Sequence, residues 1–337
     1  MRMVYYRMTT GLYDDTFSVK RNITMIHYTA SVFLPLAELA EKKKAAQTTV
    51  SVVIPTLNEA STIGAIVAAT KSRLMDEIPL VDEIVVIDSN STDATAEIAH
   101  SAGARVFSHE AIAAPSDPMC GKGVALWKAL FVTHGDIIVC IDADIKNFDV
   151  HFIYGLIGPF LQNNRTLFAK AYYRRPFIID KNIYENYGGR VTEILVRPLL
   201  SAFIPELAAI NQPLSGEYAF RRQPIETVPF SSGYGVEIGL IFDLYKKYGI
   251  QCFAQVDMGV RHHRNRPVGE LGKMAFGIVQ TMFRKLEREK LLTVHGPFHD
   301  IMISQGPSGL ERTPIDEVEL PPKAQYALAP LFGERSV

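Results

Sequence analysis

Asp142 and Asp144 stand one residue apart at the end of an apolar, β-branched run, in G-D-I-I-V-C-I-D-A-D-I from Gly135 to Ile145. In extended backbone, residues i and i+2 point the same way, so both carboxylates can reach one point just beyond a strand. Two anions held that close repel unless a cation lies between them. A hard divalent ion that also grips phosphate oxygens is the usual resolution; an acidic turn is the other reading. Lys122 lies between Gly121 and Gly123 at a predicted helix start. The glycines allow close approach of a ligand, and ammonium and helix N-terminus both favour phosphate; the alternative is a flexible loop with a solvated lysine. Gly188-Gly189-Arg190-Val191-Thr192 repeats the design with a guanidinium and a hydroxyl, suited to a bidentate grip on a small anion. His262 and His263 alternate faces if extended, so one of them can enter a cleft. Glu237, in G-Y-G-V-E, suits either a ligand-facing or a helix-capping role, and Glu217 reads as structural.

These groups need a frame, and the apolar periodicity supplies one. Pro35 to Ala46 reads as a helix whose Lys42-Lys43-Lys44 form a solvated end. Val50 to Ile54 reads as a buried strand stopped by Pro55, followed by the turn Pro55-Thr56-Leu57-Asn58-Glu59 and a helix through Ile63, Ile66 and Val67. Glu83 to Ile87 repeats the strand, Asp88-Ser89-Asn90-Ser91-Thr92 the polar turn, and Ala94 to Ser101 the helix, closed by Gly103. Arg105-Val106-Phe107 is a third strand. A helix through Val124, Trp127, Leu130 and Phe131 then stops at Gly135, before the strand Ile137 to Ile141. Alternation of this kind predicts an α/β fold, a mostly parallel sheet with helices on both faces. Ligands of such sheets collect at the carboxyl ends of strands, where all three polar turns fall. A buried strand ending in Asp88 offers an acceptor for a base or ribose. Three such turns in one sheet predict a nucleotide cleft.

Composition bounds the rest. At 337 residues with 47% hydrophobic and 21% charged side chains, the chain suits one elaborated globular domain or a domain with an extension. Lys+Arg 35 against Asp+Glu 36 leaves a formal net charge of -1, so no global field recruits nucleic acid or an anionic membrane. Three cysteines, Cys120, Cys140 and Cys252, are too few and too scattered for a disulfide framework or zinc site, and fit a reducing cytoplasm. No apolar run is long enough to span a bilayer, and residues 1–28 do not read as a signal peptide.

V-S-V-V-I-P-T-L-N-E, V-I-D-S-N-S-T-D-A-T and D-A-D resemble the nucleotide-sugar domain of GT-A glycosyltransferases. G-K-G-V-A-L-W at 121–127, Y-R-R-P at 173–176, G-G-R-V-T-E at 188–193, R-P-L-L at 197–200, Q-P-L-S-G-E-Y-A at 212–219, G-Y-G-V-E-I-G-L at 233–240 and G-V-R-H-H-R-N-R-P at 259–267 narrow the resemblance. It is to the retaining transferases that make glucosyl- and mannosyl-3-phosphoglycerate. The resemblance covers about Val50 to Pro267 and implies a hexose donor carried on a nucleoside diphosphate (UDP-glucose, GDP-glucose or GDP-mannose), 3-phosphoglycerate as acceptor, and a homodimer. It implies Mg2+, Mn2+ or another divalent cation held by Asp142, Asp144 and His263. Pro55, Thr56, Leu57, Glu59, Asp88, Ser89, Lys122, Asp142 and Ala143 would bind the nucleotide-sugar. Gly189, Arg190, Thr192, Asn265 and Arg266 would bind the acceptor. Lys122, Asp144, Glu237 and the backbone of Leu214 would surround the reacting sugar. The implied organisation is an N-terminal arm and helix (1–48), a nucleotide-sugar subdomain (49–150), an acceptor-binding and metal-completing subdomain (151–302) and an extended C-terminal tail (303–337).

Two rivals make contrary predictions. A polyprenyl-phosphate sugar synthase needs a membrane-facing apolar helix or tail, which the sequence lacks. A non-catalytic sugar-nucleotide sensor needs a damaged metal or acceptor site, and the matched polar positions are intact. Sugar identity, glucose or mannose, and the base, uridine or guanosine, are open at this level.

Overall fold

The computed structural model describes residues 25–112, 121–174, 177–179, 182–184, 189–262, 267–306 and 308–326. His263, Asn265 and Arg266 of the expected site lie outside them, as do Cys120, Arg175 and Gly188.

In chain order the strands are β1 (Ile26–Thr29), β2 (Val50–Thr56), β3 (Glu83–Asp88), β4 (Arg105–Ser108), β5 (Ile137–Cys140), β6 (Phe168–Arg174), β7 (Phe177–Ile179), β8 (Asn182–Tyr184), β9 (Tyr218–Arg221), β10 (Phe230–Ser231), β11 (Phe253–Val260), β12 (Ile301–Gly306), β13 (Gly309–Pro314) and β14 (Glu319–Leu320). The helices are α1 (Leu36–Ala45), α2 (Ile63–Lys71), α3 (Thr95–Ser101), α4 (Lys122–Val132), α5 (His151–Gln162), α6 (Arg197–Phe203), α7 (Arg222–Ile225), α8 (Val236–Tyr248) and α9 (Val268–Arg288). Among the described residues, eight strands form one sheet in the order β1-β11-β6-β9-β5-β2-β3-β4.

Neighbours in this sheet run parallel except at β9, which is antiparallel to both β5 and β6. That one reversal matters for the site. The carboxyl ends of β2, β3, β5, β6 and β11 share an edge, and β9 brings its amino-terminal flank, Gly216-Glu217, to the same edge. Both faces are covered, so β2 and β5 are buried almost throughout, as a parallel sheet between helix layers requires. One core lies between the sheet and α4, α8 and α9, the other between the sheet and α1, α2 and α5.

The structure corrects several local expectations. Pro55 does not stop β2; it pairs in register with Ile87. Its missing N–H faces the β5 side, where strand pairing has already ended at Val53 and Cys140, so no ladder bond is lost. Gly135 does not stop α4, which ends at Val132 with an extended Thr133. Instead the Gly135 N–H donates to Ser51 Oγ at 2.8 Å, and a Cβ there would fall 2.4 Å from the Ser51 nitrogen. Lys43 is not solvated: it is buried and donates to Asp82 at 2.8 Å, while Asp82 also accepts the Val50 N–H. The tail beyond 303 is not simply an extended arm. Its start completes the hairpin β12–β13, which begins at Ile301, and β14 pairs with β10 of the same chain.

Candidate active site

The first two polar turns latch to each other. Asp88, at the end of β3, is 7% exposed and accepts from Thr56 Oγ1 at 3.2 Å and from Ser91 Oγ at 2.5 Å. The Ser89 N–H donates to the Thr56 carbonyl at 2.9 Å. Asn58 and Asn90 take left-handed backbone, φ 57° and 65°, a conformation Asn tolerates better than most residues. Asn58 Oδ1 accepts the Thr92 N–H at 2.8 Å, and the Glu59 N–H donates to Thr95 Oγ1 at 2.8 Å. Leu57 is left exposed at the rim. The two loops therefore form one rigid shelf, with Pro55, Thr56, Leu57, Glu59, Asp88 and Ser89 together.

Next to the shelf, β5 ends in Asp142, Ala143 and Asp144. Lys122 Nζ reaches Asp142 Oδ1 at 2.7 Å and Glu237 Oε1 at 2.8 Å. Burial disfavours the ammonium, but Asp142 and Glu237 together outweigh it, so the Lys122 pKa lies well above the ordinary lysine value. Lys122 is a permanent charge here. On the far side, Arg261 Nη2 lies 2.8 Å from Asp144 Oδ1, 3.0 Å from Glu217 Oε1 and 3.4 Å from Asp142 Oδ2. Arg261 Nη1 donates to Tyr173 Oη at 3.0 Å, and Tyr173 Oη donates to Glu217 Oε2 at 2.7 Å. Glu217 and Tyr173 are fully buried, which bolts the guanidinium in place.

Arg261 and Glu217 were not expected in the site. Glu217 arrives there because β9 runs backwards: Tyr218 pairs with Cys140, so Gly216-Glu217 stand beside Ile141-Asp142. A Cβ on Gly216 would lie 2.0 Å from Asp142 Oδ2, so only glycine lets that carboxylate sit where it does. Arg261 follows β11 as Asp142 follows β5, and the same strand-end rule applied to β11 would have found it.

The glycines around Lys122 also have a different use from the one expected. Gly121 has φ 149°, and a Cβ there would fall 2.4 Å from the Ser232 carbonyl oxygen. At Gly123 the same test gives 1.8 Å to the Ser231 carbonyl oxygen. The close approach is to the chain's own backbone, and the Val124 N–H donates to the Ser232 carbonyl at 2.9 Å. Glu237 lies in the first turn of α8 and is buried. It does not cap that helix, because Glu317 accepts the N–H groups there.

At the segment expected to bind the acceptor, Gly189 precedes a helix that starts at Arg190 and passes through a π-helical stretch, Thr192–Val196, into α6. Such stretches are rare and gather at functional sites. Arg190 is exposed and Thr192 is buried. Arg197 ties this helix to the loop before β9, donating to the carbonyls of Ala208 at 2.6 Å and Asn211 at 2.7 Å. That loop carries Leu214 and hangs from β6: Ser215 Oγ donates to the Ala171 carbonyl, Gln212 Nε2 to that of Tyr173, and Lys170 Nζ to that of Ser215. Burial pushes the Lys170 amine down to about 7.

Among the described residues, Asp142, Asp144, Glu217 and Glu237 gather around Lys122 and Arg261. Carboxylates gathered at the open edge of a sheet suit a hard divalent cation with oxygen ligands. Asp142 and Asp144 would hold it. Among the described residues no third His, Cys, Asp or Glu completes a metal cluster. The backbone after β11 does run past the Asp-Ala-Asp turn: the His262 N–H donates to Asn147 Oδ1 at 2.8 Å and Asn147 Nδ2 donates to the Val260 carbonyl at 2.9 Å. His262 itself is exposed.

A strand-edge carboxylate pair beside latched polar loops is the arrangement expected of a sugar-nucleotide transferase, and the Glycosyl transferase family 2 profile matches residues 51–201. The chain is 42% identical to the glucosyl-3-phosphoglycerate synthase of Petrotoga mobilis over 90% of its own length and 95% of that protein. The mannosyl-3-phosphoglycerate synthase structure from Rubrobacter xylanophilus superposes with a TM-score of 0.82 at 37% identity, covering 89% of this chain and 96% of that one. A Mycobacterium tuberculosis glucosyl-3-phosphoglycerate synthase, solved with Mn2+, UDP-glucose and phosphoglyceric acid, gives 0.74 at 41% identity, covering 86% and 94%. The chain belongs to the glucosyl-3-phosphoglycerate synthase family, with mannosyl-3-phosphoglycerate synthase a close structural neighbour.

Proposed function

We propose that this protein transfers glucose from UDP-glucose to the 2-hydroxyl of 3-phosphoglycerate, with Mg2+ or Mn2+ as cofactor. The observation that carries the reading is the convergence of Asp142, Asp144, Glu217 and Glu237 on one strand edge beside the shelf at Thr56 and Asp88. The family resemblance, and the Mn2+, UDP-glucose and phosphoglyceric acid in the tuberculosis relative, support it. Asp142, Asp144 and His263 are the proposed metal ligands, and the bound ion supplies Lewis acidity at the departing diphosphate. Lys122 contributes a fixed positive charge toward the same leaving group. Glu237, facing Lys122 from α8, and the Leu214 backbone flank the sugar. Gly189, Arg190 and Thr192, with Asn265 and Arg266, hold the acceptor's phosphate and carboxylate, so that its hydroxyl meets the sugar in a reactive geometry. The carboxylates at the strand edge are engaged with Lys122 and Arg261, which favours front-face transfer with retention over a covalent glycosyl-enzyme.

Residues 49–150 then handle the donor and 151–302 the acceptor. The protein acts in the cytoplasm as a homodimer; buried free Cys140 and Cys252 fit a reducing compartment. Among the described residues no helix is long and apolar enough to cross a membrane. The structural similarity to the Rubrobacter protein favours GDP-mannose as the second reading.

Product formation from 3-phosphoglycerate with UDP-glucose, GDP-glucose and GDP-mannose in parallel tests both readings. Glucosyl-3-phosphoglycerate from UDP-glucose, abolished by EDTA, is expected. Transfer from GDP-mannose alone would replace the first reading with the second, and full activity in excess EDTA would remove the metal from the account.

A further inference from the structure

The C-terminal segment inserts a carboxylate beneath the catalytic helix. Glu317 is 4% exposed and accepts the N–H of Gly233 at 2.8 Å and of Gly235 at 3.2 Å, the amides that lead into α8. Without Glu317 the Gly235 N–H would be buried without a partner at the N-terminus of α8. The fit is tight on both sides. A Cβ on Gly233 would fall 2.5 Å from Glu317 Oε1, and one on Gly277 of α9 would fall 2.7 Å from it.

The segment carrying Glu317 is itself stitched down. Its N–H donates to Gln280 Oε1 at 3.0 Å, while Gln280 Nε2 donates to the carbonyls of His299 and Ile315. The Ser232 N–H donates to the Val318 carbonyl at 2.9 Å, and Trp127 Nε1 of α4 donates to the Pro321 carbonyl at 2.9 Å. Residues 231–235 are therefore gripped from below by the tail. From the other side Gly121 and Gly123 press on Ser231 and Ser232. The helix bearing Lys122 and the helix bearing Glu237 meet on one short loop, and Glu317 fixes that loop.

We propose that Glu317 is a positioning residue for the transfer reaction, setting Glu237 against Lys122 through the Gly233–Gly235 amides. The proposal rests on the reading of Glu237 and Lys122 as parts of the active site. It concerns a carboxylate more than 70 residues further along the chain that touches neither substrate nor metal ligand.

The test is a double-mutant cycle on transfer kinetics with Glu317→Gln and Glu237→Gln. Glutamine cannot accept at both ends, so about a tenfold fall in kcat is expected for Glu317→Gln, with the KM for UDP-glucose within twofold. In the Glu237→Gln background the same change should add nothing further, because it acts through Glu237. Glu319→Gln, which loosens the same segment without touching the amides, should leave kcat unchanged. Unchanged kcat in Glu317→Gln, or losses that multiply in the double variant, would overturn the proposal while leaving the proposed function intact. Full activity of Glu237→Gln alone would instead remove Glu237 from the site and the proposal with it. If the glutamine variant fails to fold, Glu317→Asp serves the same cycle, since it keeps the charge but withdraws it from the amides.

Discussion

Two charge clusters share helix α8, through Glu237 and Asp243, and they are built differently. Behind α8 and α9, Lys285 and Arg288 face Asp243 and Glu319: Lys285 Nζ lies 2.6 Å from Asp243 Oδ2 and also pairs with Glu319, while Arg288 pairs with both carboxylates. Arg288 also reaches Glu289, which pairs with Lys246, so three cations meet three anions and the cluster is closed. At the strand edge, among the described residues, four carboxylates gather around Lys122 and Arg261. Desolvated charge is costly unless paired, so the closed cluster suits a clamp, whereas the open one suits a site that takes up a further cation.

That contrast can be broken most forcefully at the closed cluster. Lys285→Met leaves Asp243 buried with half its compensation gone and should cost about 3–5 kcal/mol of stability. Denaturant unfolding would measure this, with turnover per folded molecule unchanged. At the open cluster the opposite split is expected. Asp144→Ala should lose on the order of 10²- to 10³-fold in kcat, the scale of removing one group that stabilises charge in the transition state, with a melting temperature at or above that of the parent. If Asp144→Ala unfolds the protein instead, the two clusters are of one kind.

Glu217→Gln tests the boundary between the two behaviours, because Glu217 is fully buried yet holds Arg261 against Asp144. Supporting groups of this kind typically matter by about 10–100-fold in metal affinity, and Mn2+ titration followed by electron paramagnetic resonance would show it. Between pH 7 and 8 the smallest effect belongs to Lys170. Its folded pKa, about 7, lies below that of an unfolded lysine, so between pH 7 and the ordinary lysine range the unfolded chain binds more protons. Burial of the charged amine costs stability below pH 7, and that cost is relieved as pH rises. Stability should therefore climb above pH 7 by at most about 1.4 kcal/mol per pH unit from this group. Lys170→Met should remove that rise.

Much of the open cluster was legible before any coordinates. Val50–Thr56, Glu83–Asp88 and Ile137–Cys140 are apolar β-branched runs, and the polar residues that end them had to fall at one edge once the strands were parallel. Lys122 was legible from its glycines, although those glycines serve contact with Ser231 and Ser232. Glu217 was not legible, because its place depends on β9 running antiparallel, a matter of long-range topology that no local pattern carries. Glu317 was hidden for a related reason. It lies in a Pro-rich tail with no periodicity, and its partners are backbone amides some 80 residues earlier in the chain.

If the strand-edge carboxylates gather in order to hold a divalent cation, Asp142 and Asp144 must bind it. Calorimetric titration of Mn2+ into the protein with UDP-glucose present, for the parent and for Asp142→Asn/Asp144→Asn, tests it most directly. Saturable binding of one ion per chain that disappears in the double variant, with the fold intact by circular dichroism, is the predicted result. Undiminished Mn2+ binding in the variant, or none in the parent, would contradict it.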